Sequence, residues 1–198
     1  TQIGDSSEPI PTAKINKFDE KRNFDLVFIL PTNNLELGGI NVANSLASKL
    51  SKIGTKVGVL PILSDPSSSF NSLQINIEDI KSVSIVVSCG AETIDYAKKI
   101  QLKHDANFQL LMQGPDFLFT PKWKNAKEFL DAIKIANTII CFSPYLAKLA
   151  QNLGGKNIKT IIFGPDTEIF YYQNLKREKW ILIPCRNELS KGLRNVVP

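Results

Sequence analysis

The sequence predicts a doubly wound α/β domain, in which a parallel sheet is covered by helices on both faces. Three observations predict it: short apolar runs rich in β-branched residues recur along the chain, helical patterns lie between several of them, and 43 % of the 198 residues are hydrophobic. Runs that are apolar on both faces are typical of buried parallel strands. Strands that alternate with helices form such a sheet through right-handed crossovers.

Six apolar runs are predicted as strands. They cover residues 24–30, 56–60, 83–88, 107–112, 138–142 and 158–163. The longest uninterrupted apolar run, residues 26–30, has five residues, whereas a membrane-spanning helix needs roughly 20. We therefore expect a soluble protein.

Four segments between these runs have helical patterns. The first has an apolar stripe from Ile40 to Ile53 and ends at Gly54, and the second has Ile94, Ala97 and Ile100 on one face. The third carries Phe129, Ile133 and Ala136 and starts near Lys122, and the fourth opens with Ser143 and Pro144 and ends at Gly154-Gly155. Serine as N-cap, proline in the first turn and glycine after the last turn are typical helix signals.

The chain is predicted to contain one whole domain and the start of another. We expect a polar N-terminal tail over residues 1–23, an N-terminal domain with its linker over 24–176, and the beginning of a second domain over 177–198. Residues 176–198 hold six basic and two acidic residues, which is +4 of the net charge of +5. A new strand-like run at 180–183 precedes Arg186 and Lys191, which predicts the truncated beginning of a second domain, and whether the natural reading frame continues past Pro198 stays open.

The cysteines and the single histidine limit the chemistry. Cys89, Cys141 and Cys185 are an odd number and are widely spaced, which fits neither a disulfide framework nor a zinc site. Because no disulfide framework is predicted, we expect the protein to be in a reducing compartment and hence cytoplasmic. His104 cannot form a site that needs two imidazoles, and its polar neighbours predict a solvated surface position.

Candidate site residues follow the strands, because open parallel sheets bind ligands at the carboxyl ends of their strands. Gly38 and Gly39 open the first helix, where backbone can approach a ligand and free amides can meet an anion; a simple tight turn explains them equally well. After the third strand, Glu92 is interpreted as a first-turn residue favoured by the helix dipole and Cys89 as a buried thiol.

Two further loops carry polar groups. Gln113 and Asp116 flank Gly114-Pro115 after the fourth strand and are candidate catalytic residues, with a turn-forming role as the alternative. Arg186 and Lys191 bracket the loop after the last strand-like run. Two cations there would suit a diphosphate and neutralise charge as it departs.

These segments, taken in order, resemble a known family. Gly38-Gly39, Ser143-Pro144-Tyr145-Leu146, the stretch 161–170 (IIFGPDTEIF), Arg177, Arg186 and Lys191-Gly192 are similar to the group 1 (family 4) glycosyltransferases of the two-domain GT-B architecture. The loop 113–116 with its aromatic neighbours resembles rhamnosyltransferase-like members. The resemblance spans residues 24–192 and implies a Rossmann-like, acceptor-side domain that faces a donor-side domain.

The resemblance implies retaining transfer of a sugar from a nucleotide-sugar to a glycan or lipid-type acceptor, without a metal or other cofactor. Arg186 and Lys191 match the family's cations on the donor diphosphate, and Gly38 and Gly39 match its glycine loop. Many members carry histidine in the loop that Gln113 occupies. The family's pair of donor-domain glutamates would lie after Pro198, so we expect the 198 residues alone to be inactive. No nucleic-acid partner is expected, and peripheral membrane contact stays open.

Two other functions also stay open. A nucleotide-sugar epimerase or hydrolase could use the same architecture, with Asp116 as the only attractive acid or base. A non-catalytic α/β binding module would keep the acceptor fold without the donor half. A reading frame that continues for roughly 150 residues, the size of another domain, would favour the transferase, whereas a stop codon after Pro198 would favour the binding module.

Overall fold

The computed structural model describes residues 21–35, 37–64, 70, 72–115 and 123–164. The chain divides into two compact units, Thr1–Ile161 and Ile162–Pro198. All the helices and strands described below belong to the first unit. The boundaries predicted at residues 23/24 and 176/177 remain predictions for the chain as a whole.

The described residues contain six strands and four α-helices, and an α-helix follows every strand except the second and the last. In chain order they are β1 (Arg22–Thr32), α1 (Gly38–Lys52), β2 (Val57–Leu63), β3 (Ile80–Ser88), α2 (Ile94–His104), β4 (Asn107–Met112), α3 (Trp123–Ile135), β5 (Thr138–Cys141), α4 (Pro144–Asn152) and β6 (Ile158–Thr160). Short 3₁₀ turns at Ile77–Asp79 and Ala91–Thr93 precede β3 and α2, and the sequence pattern did not predict them. Among these helices none is long and apolar enough to cross a membrane.

The strands form one parallel sheet in the order β2-β1-β3-β4-β5-β6. This confirms the predicted doubly wound α/β fold. Val27 of β1 lies opposite Gly58 of β2 and Val86 of β3, so the central strand is paired on both sides. The connection through α1 places β2 on one side of β1. From β3 onward, each new strand is added on the other side of β1.

The helices lie on opposite faces of this sheet because successive side chains of a strand point to opposite faces. Phe28 and Leu30 of β1 pack with Ala43 and Ala47 of α1 on one face. Val27 and Ile29 belong to the cluster on the other face, which α2, α3 and α4 cover. The α2–α4 side chains in this cluster include Ile94, Ala97, Ile100, Phe129, Ile133, Leu146 and Ala150.

Two strand ends differ from the prediction. β1 begins at Arg22, inside the predicted polar tail, because the backbone of Arg22 and Asn23 pairs with β3 and Ser82 Oγ donates to Asn23 Oδ1 at 2.9 Å. β6 ends at Thr160 rather than at residue 163. Its partner β5 ends at Cys141, whose carbonyl accepts the last hydrogen bond from Ile161 N–H at 2.9 Å.

The predicted helix signals are confirmed. Ser143 Oγ accepts a hydrogen bond from Leu146 N–H at 3.2 Å, which makes it the N-cap of α4 ahead of Pro144. Gly54 and Gly154 follow α1 and α4 with positive φ angles of 94° and 92°. Glycine adopts this left-handed conformation without the steric penalty of a side chain.

Candidate functional site

The topological switch point of the sheet lies between β1 and β3 at the carboxyl edge, and we call this position the crevice. The chain leaves β1 toward α1 and β2, and it leaves β3 toward α2 and β4. Because the two connections run in opposite directions over opposite faces, the loops diverge at this point. Ligands of open α/β sheets bind at such a switch point. The loops after β1, β3 and β4 that were predicted from the sequence all lie at this edge.

The loop after β1 turns tightly into α1. Asn34 N–H donates to Thr32 Oγ1 and Leu37 N–H donates to Asn34 O, both at 3.3 Å. The N-cap is Leu37, whose aliphatic side chain accepts no hydrogen bond, and the first turn of α1 contains no acidic residue. The partial positive charge at this helix end is therefore not neutralised by a capping side chain of the helix itself.

Gly39 of α1 contacts Gln113, which follows β4. Gln113 Nε2 donates a hydrogen bond to Gly39 O at 3.1 Å, although 74 positions separate the two residues. A Cβ atom added to Gly39 would overlap Gln113 Oε1 and would lie 3.2 Å from Gln113 Cδ. The absence of a side chain at Gly39 is thus what allows the glutamine to lie against the start of α1. The structure brings two predicted site residues together.

Of the other predicted site residues, the structure describes only Gly38. Gly38 has open space around the position of a Cβ atom, so no close approach explains its glycine. Asp116, Arg186 and Lys191 lie outside the described residues, and their predicted roles remain predictions. The described part of the predicted site therefore consists of Gly38, Gly39 and Gln113.

The loop after β3 is fixed by a buried hydroxyl network. Thr93 Oγ1 donates to Gly90 O at 2.9 Å and accepts from Cys89 N–H at 3.0 Å. Ser88 Oγ lies 2.7 Å from the same Thr93 oxygen, and both hydroxyl side chains are fully buried. Because each buried polar group here has a partner, this wall of the crevice is held in one conformation.

Gly90 sits at the tightest point of that loop. Its φ of 130° is a conformation that residues with side chains rarely adopt. A Cβ atom there would lie 3.3 Å from Pro31 Cγ at the end of β1. Gly90 therefore lets the ends of β1 and β3 approach each other closely and closes the base of the crevice.

Cys89 and Glu92 of this loop were singled out from the sequence, but Thr93 was not. A threonine just after a strand–glycine turn, in the first turn of a helix, is a position where a hydroxyl commonly bonds to nearby backbone. That signal was present, but the partners of the hydroxyl depend on how the turn folds.

The described crevice carries little charge. In the described parts of the loops after β1, β3, β4 and β5, the one charged side chain is Glu92, which is exposed in the first turn of the 3₁₀ segment before α2. This position agrees with the interpretation of Glu92 as a first-turn residue. The described crevice is therefore polar and nearly neutral, and it suits uncharged hydroxyl-rich groups better than a bare anion.

The cysteines near the sheet are buried free thiols. Cys89 and Cys141 are both buried. Burial raises the pKa of the Cys89 thiol well above its usual range and also raises the pKa of the Cys141 thiol. A neutral thiol is a weak nucleophile, so neither is a reactive cysteine. The interpretation of Cys89 as a buried thiol is confirmed.

His104 differs from the prediction of a solvated surface position. The residue is half-buried at the end of α2, and its Nε2 atom is buried without a hydrogen-bond partner among the described residues. Burial, followed by the positive charges of Lys103 and Lys21, lowers its pKa. The polar neighbours in sequence therefore did not keep the whole imidazole in solvent.

Among the residues that the structure describes, no three His, Cys, Asp or Glu side chains are close enough together to hold a metal ion. No protein-family model matches the sequence, and no curated protein matches it either.

Proposed function

We propose that the chain is the acceptor-side part of a retaining glycosyltransferase that moves a sugar from a nucleotide-sugar to a glycan or lipid-type acceptor. The observation that carries this proposal is the contact between Gly39 and Gln113 at the carboxyl edge. It joins the glycine that opens α1 to the polar loop after β4, at the edge where open α/β sheets bind ligands.

The chemistry of Gln113 suits a sugar. Its amide carries two N–H donors and a carbonyl acceptor, and Gly39 O uses one of the donors. Sugar hydroxyls both donate and accept hydrogen bonds, so a neutral amide can bind them in either sense. The low charge of the described crevice agrees with a neutral acceptor, since its one charged side chain among the described residues, Glu92, is exposed and can keep its hydration when a sugar enters.

The donor needs positive charge, and the proposal assigns it to Arg186 and Lys191. The amides at the start of α1 add partial positive charge. Two fixed cations would stabilise the diphosphate as it departs, and we therefore propose a reaction that needs no metal ion. Asp116 is proposed as the carboxylate that orients or deprotonates the acceptor hydroxyl. The buried free thiols Cys89 and Cys141 fit a reducing, cytoplasmic location.

The test uses the natural protein that contains this sequence. It is incubated with UDP-, GDP- and dTDP-linked hexoses, with and without a pool of glycan and lipid-linked acceptors, and released nucleoside diphosphate is measured. We expect release that depends on the acceptor, with the anomeric configuration of the product retained in its NMR spectrum.

Other outcomes would assign another function. Release of free sugar without an acceptor would indicate a hydrolase, and an altered sugar still bound to nucleotide would indicate an epimerase. Binding of a sugar without turnover of any donor would indicate a binding module. Each of these results would overturn the transferase proposal.

A further inference from the structure

The crevice has one wall on each side of the sheet. Side chains alternate between the two faces along a strand, and Leu111 of β4 packs in the same cluster as Ala43 of α1. Gln113 follows Leu111 by two positions and is therefore on the α1 side as well, where its amide donates to Gly39 O. The contact between Gly39 and Gln113 thus forms the α1-side wall of the crevice.

The opposite wall lies on the face that α2 covers. Ile29 of β1 and Val86 of β3 belong to the cluster on that face. Pro31 follows Ile29 by two positions, and Gly90 follows Val86 by four. The same alternation therefore places Pro31 and Gly90 on the α2 side of the crevice. Their close approach, 3.3 Å between Pro31 Cγ and the position of a Cβ atom on Gly90, agrees with this placement.

Glu92 adds a carboxylate to this second wall. Its Oε2 atom lies 3.4 Å from the position that a Cβ atom on Gly90 would occupy, so the carboxylate lies over the end of β3 and beside Pro31. Among the residues that the structure describes, no hydrogen bond or ion pair engages this carboxylate. Both of its oxygens can therefore accept hydrogen bonds from a ligand in the crevice.

The turn that carries Glu92 is held in place on both sides. Thr93 N–H donates to Gly90 O at 3.2 Å. Thr93 Oγ1 donates to the same carbonyl and accepts from Cys89 N–H. The backbone of Glu92 lies inside this closed turn, so only its side chain has to be ordered when a ligand binds. This lowers the entropic cost of binding at the position.

A carboxylate and an amide on facing walls suit a sugar that lies between them. An ionised carboxylate has two acceptor oxygens and no donor, so it can bind two neighbouring hydroxyls at once. Hydrogen bonds to a charged acceptor are roughly twice as strong as those between neutral groups. Because Glu92 is exposed, sugar hydroxyls replace part of its hydration and its charge is not fully buried. A sugar that carries a negative charge would be repelled.

We propose that Glu92 selects the acceptor by its charge. The carboxylate accepts hydrogen bonds from two neighbouring hydroxyls of the acceptor sugar, while Gln113 contacts the same sugar from the α1 side. The site takes neutral sugars and amino sugars with an ammonium group, and it disfavours uronic acids and phosphorylated sugars. This role rests on the proposed function and adds the class of acceptor that the site takes.

The first experiment measures binding without a reaction. The natural protein that contains this sequence is titrated, without donor, with the methyl glycosides of glucose, galactose and mannose, and amide signals are followed by ¹H–¹⁵N NMR. We expect at least one glycoside to shift the signals of Glu92, Thr93 and the Gln113 side chain. The corresponding uronic acid glycoside should bind about five-fold more weakly, because its carboxylate is repelled. Unchanged signals with all of these glycosides would overturn the proposal.

Two variants make the test specific. Glu92→Gln keeps the size of the side chain and removes its charge, so it should weaken binding of the neutral glycoside about five-fold and abolish the discrimination against the uronic acid. Glu78→Gln is the matched control, because Glu78 is also an exposed glutamate in a 3₁₀ turn but precedes β3, at the opposite edge of the sheet. It should change neither affinity. Discrimination that persists in Glu92→Gln, or an equal loss in Glu78→Gln, would refute the role of Glu92.

Turnover separates this role from the proposed function. In the transferase reaction, Glu92→Gln should raise the KM for a neutral acceptor about five-fold and leave the KM for the donor unchanged. An active enzyme whose acceptor KM does not respond to Glu92→Gln would overturn the role of Glu92 and leave the transferase in place. Glycoside binding that depends on Glu92, in a protein that turns over no donor, would support the sugar contact and overturn the transferase.

Discussion

Gly38 and Gly39 are neighbours in the same helical turn, yet only Gly39 lies against another side chain. Gly39→Ala would push the Gln113 amide away from the start of α1, whereas Gly38→Ala enters open space. We expect Gly38→Ala to leave the protein as stable as before or about 0.5 kcal/mol more stable. Gly39→Ala should shift the Gln113 side-chain amide signals in NMR. In the natural enzyme it should lower turnover about 100-fold, the effect of a misplacement of about 1 Å in a site.

The glutamine itself provides the control for this prediction. In a Gln113→Ala background the clash partner is gone, so Gly39→Ala and Gly38→Ala should have the same stability and the same turnover. Different values for the two glycine variants in that background would mean that the glycine acts through something other than Gln113. Such a result would remove the contact that carries the proposed function.

His104 makes stability depend on pH. Its pKa is lowered in the folded protein by burial and then by Lys103 and Lys21, so the unfolded chain binds a proton more readily. Stability then increases with pH in this range: the contribution is complete above the ordinary histidine pKa of about 6.5 and is lost as the pH falls below it toward the folded value. His104→Gln should therefore show a smaller drop in Tm between pH 8 and about pH 5.5.

Two lysines of the same helix separate the causes. Lys103→Gln should reduce the pH dependence of Tm in part, because Lys103 contributes to the lowered pKa. Lys98→Gln removes an equal charge that is not among those causes and should leave the pH dependence as it is. A drop in Tm that His104→Gln does not change would assign the acid sensitivity to other groups.

At the scale of elements, the loop between β3 and α2 depends on one hydroxyl. Thr93→Val keeps the shape of the side chain but removes the acceptor for Cys89 N–H and the donor to Gly90 O. Buried groups that lose their partners cost about 1–3 kcal/mol in total, so we expect the free energy of unfolding in urea to fall by that amount. Thr160→Val, at an exposed position of β6, should change it by less than about 0.5 kcal/mol.

The strands were predictable because their side chains are buried on both faces, which leaves a run of apolar letters. The ends of the strands were harder to predict, since pairing of the backbone does not depend on side-chain polarity. Asn23 pairs with Ser82 through its backbone and its side chain, so a polar residue continues β1. Conversely, apolar residues after Thr160 leave the strand because β5 has already ended.

At the scale of the whole molecule, the sequence predicted which loops would share an edge but not which residues would touch. The edge follows from the parallel fold alone. The contact of Gln113 with Gly39 depends on β3 lying between β1 and β4 and on α1 packing over that face. Neither the strand order nor the absence of space for a Cβ atom is visible in the pattern of residues. The charged half of the proposed site, Arg186 and Lys191, rests on the sequence only.

Those two cations give the prediction that decides the proposed function at this scale. If Arg186 and Lys191 stabilise the charge that develops on the departing diphosphate, their loss affects the transition state more than the bound donor. Removal of one such electrostatic group typically lowers the rate about 10²–10³-fold. We expect Arg186→Ala and Lys191→Ala in the natural protein to lose at least about ten-fold in kcat, with a smaller change in the donor Kd measured by calorimetry and an unchanged Tm.

Arg194→Ala is the matched control, because it removes the same charge from the same basic segment, residues 176–198. It lies outside the Arg186 and Lys191-Gly192 pattern, so its kcat should stay within about two-fold of the unsubstituted protein, a difference of about 0.4 kcal/mol in the barrier. If all three variants lose turnover equally, the segment acts through its total charge. If Arg186→Ala and Lys191→Ala keep normal turnover, the diphosphate is bound elsewhere, and the match of this segment to the glycosyltransferase pattern carries no functional meaning.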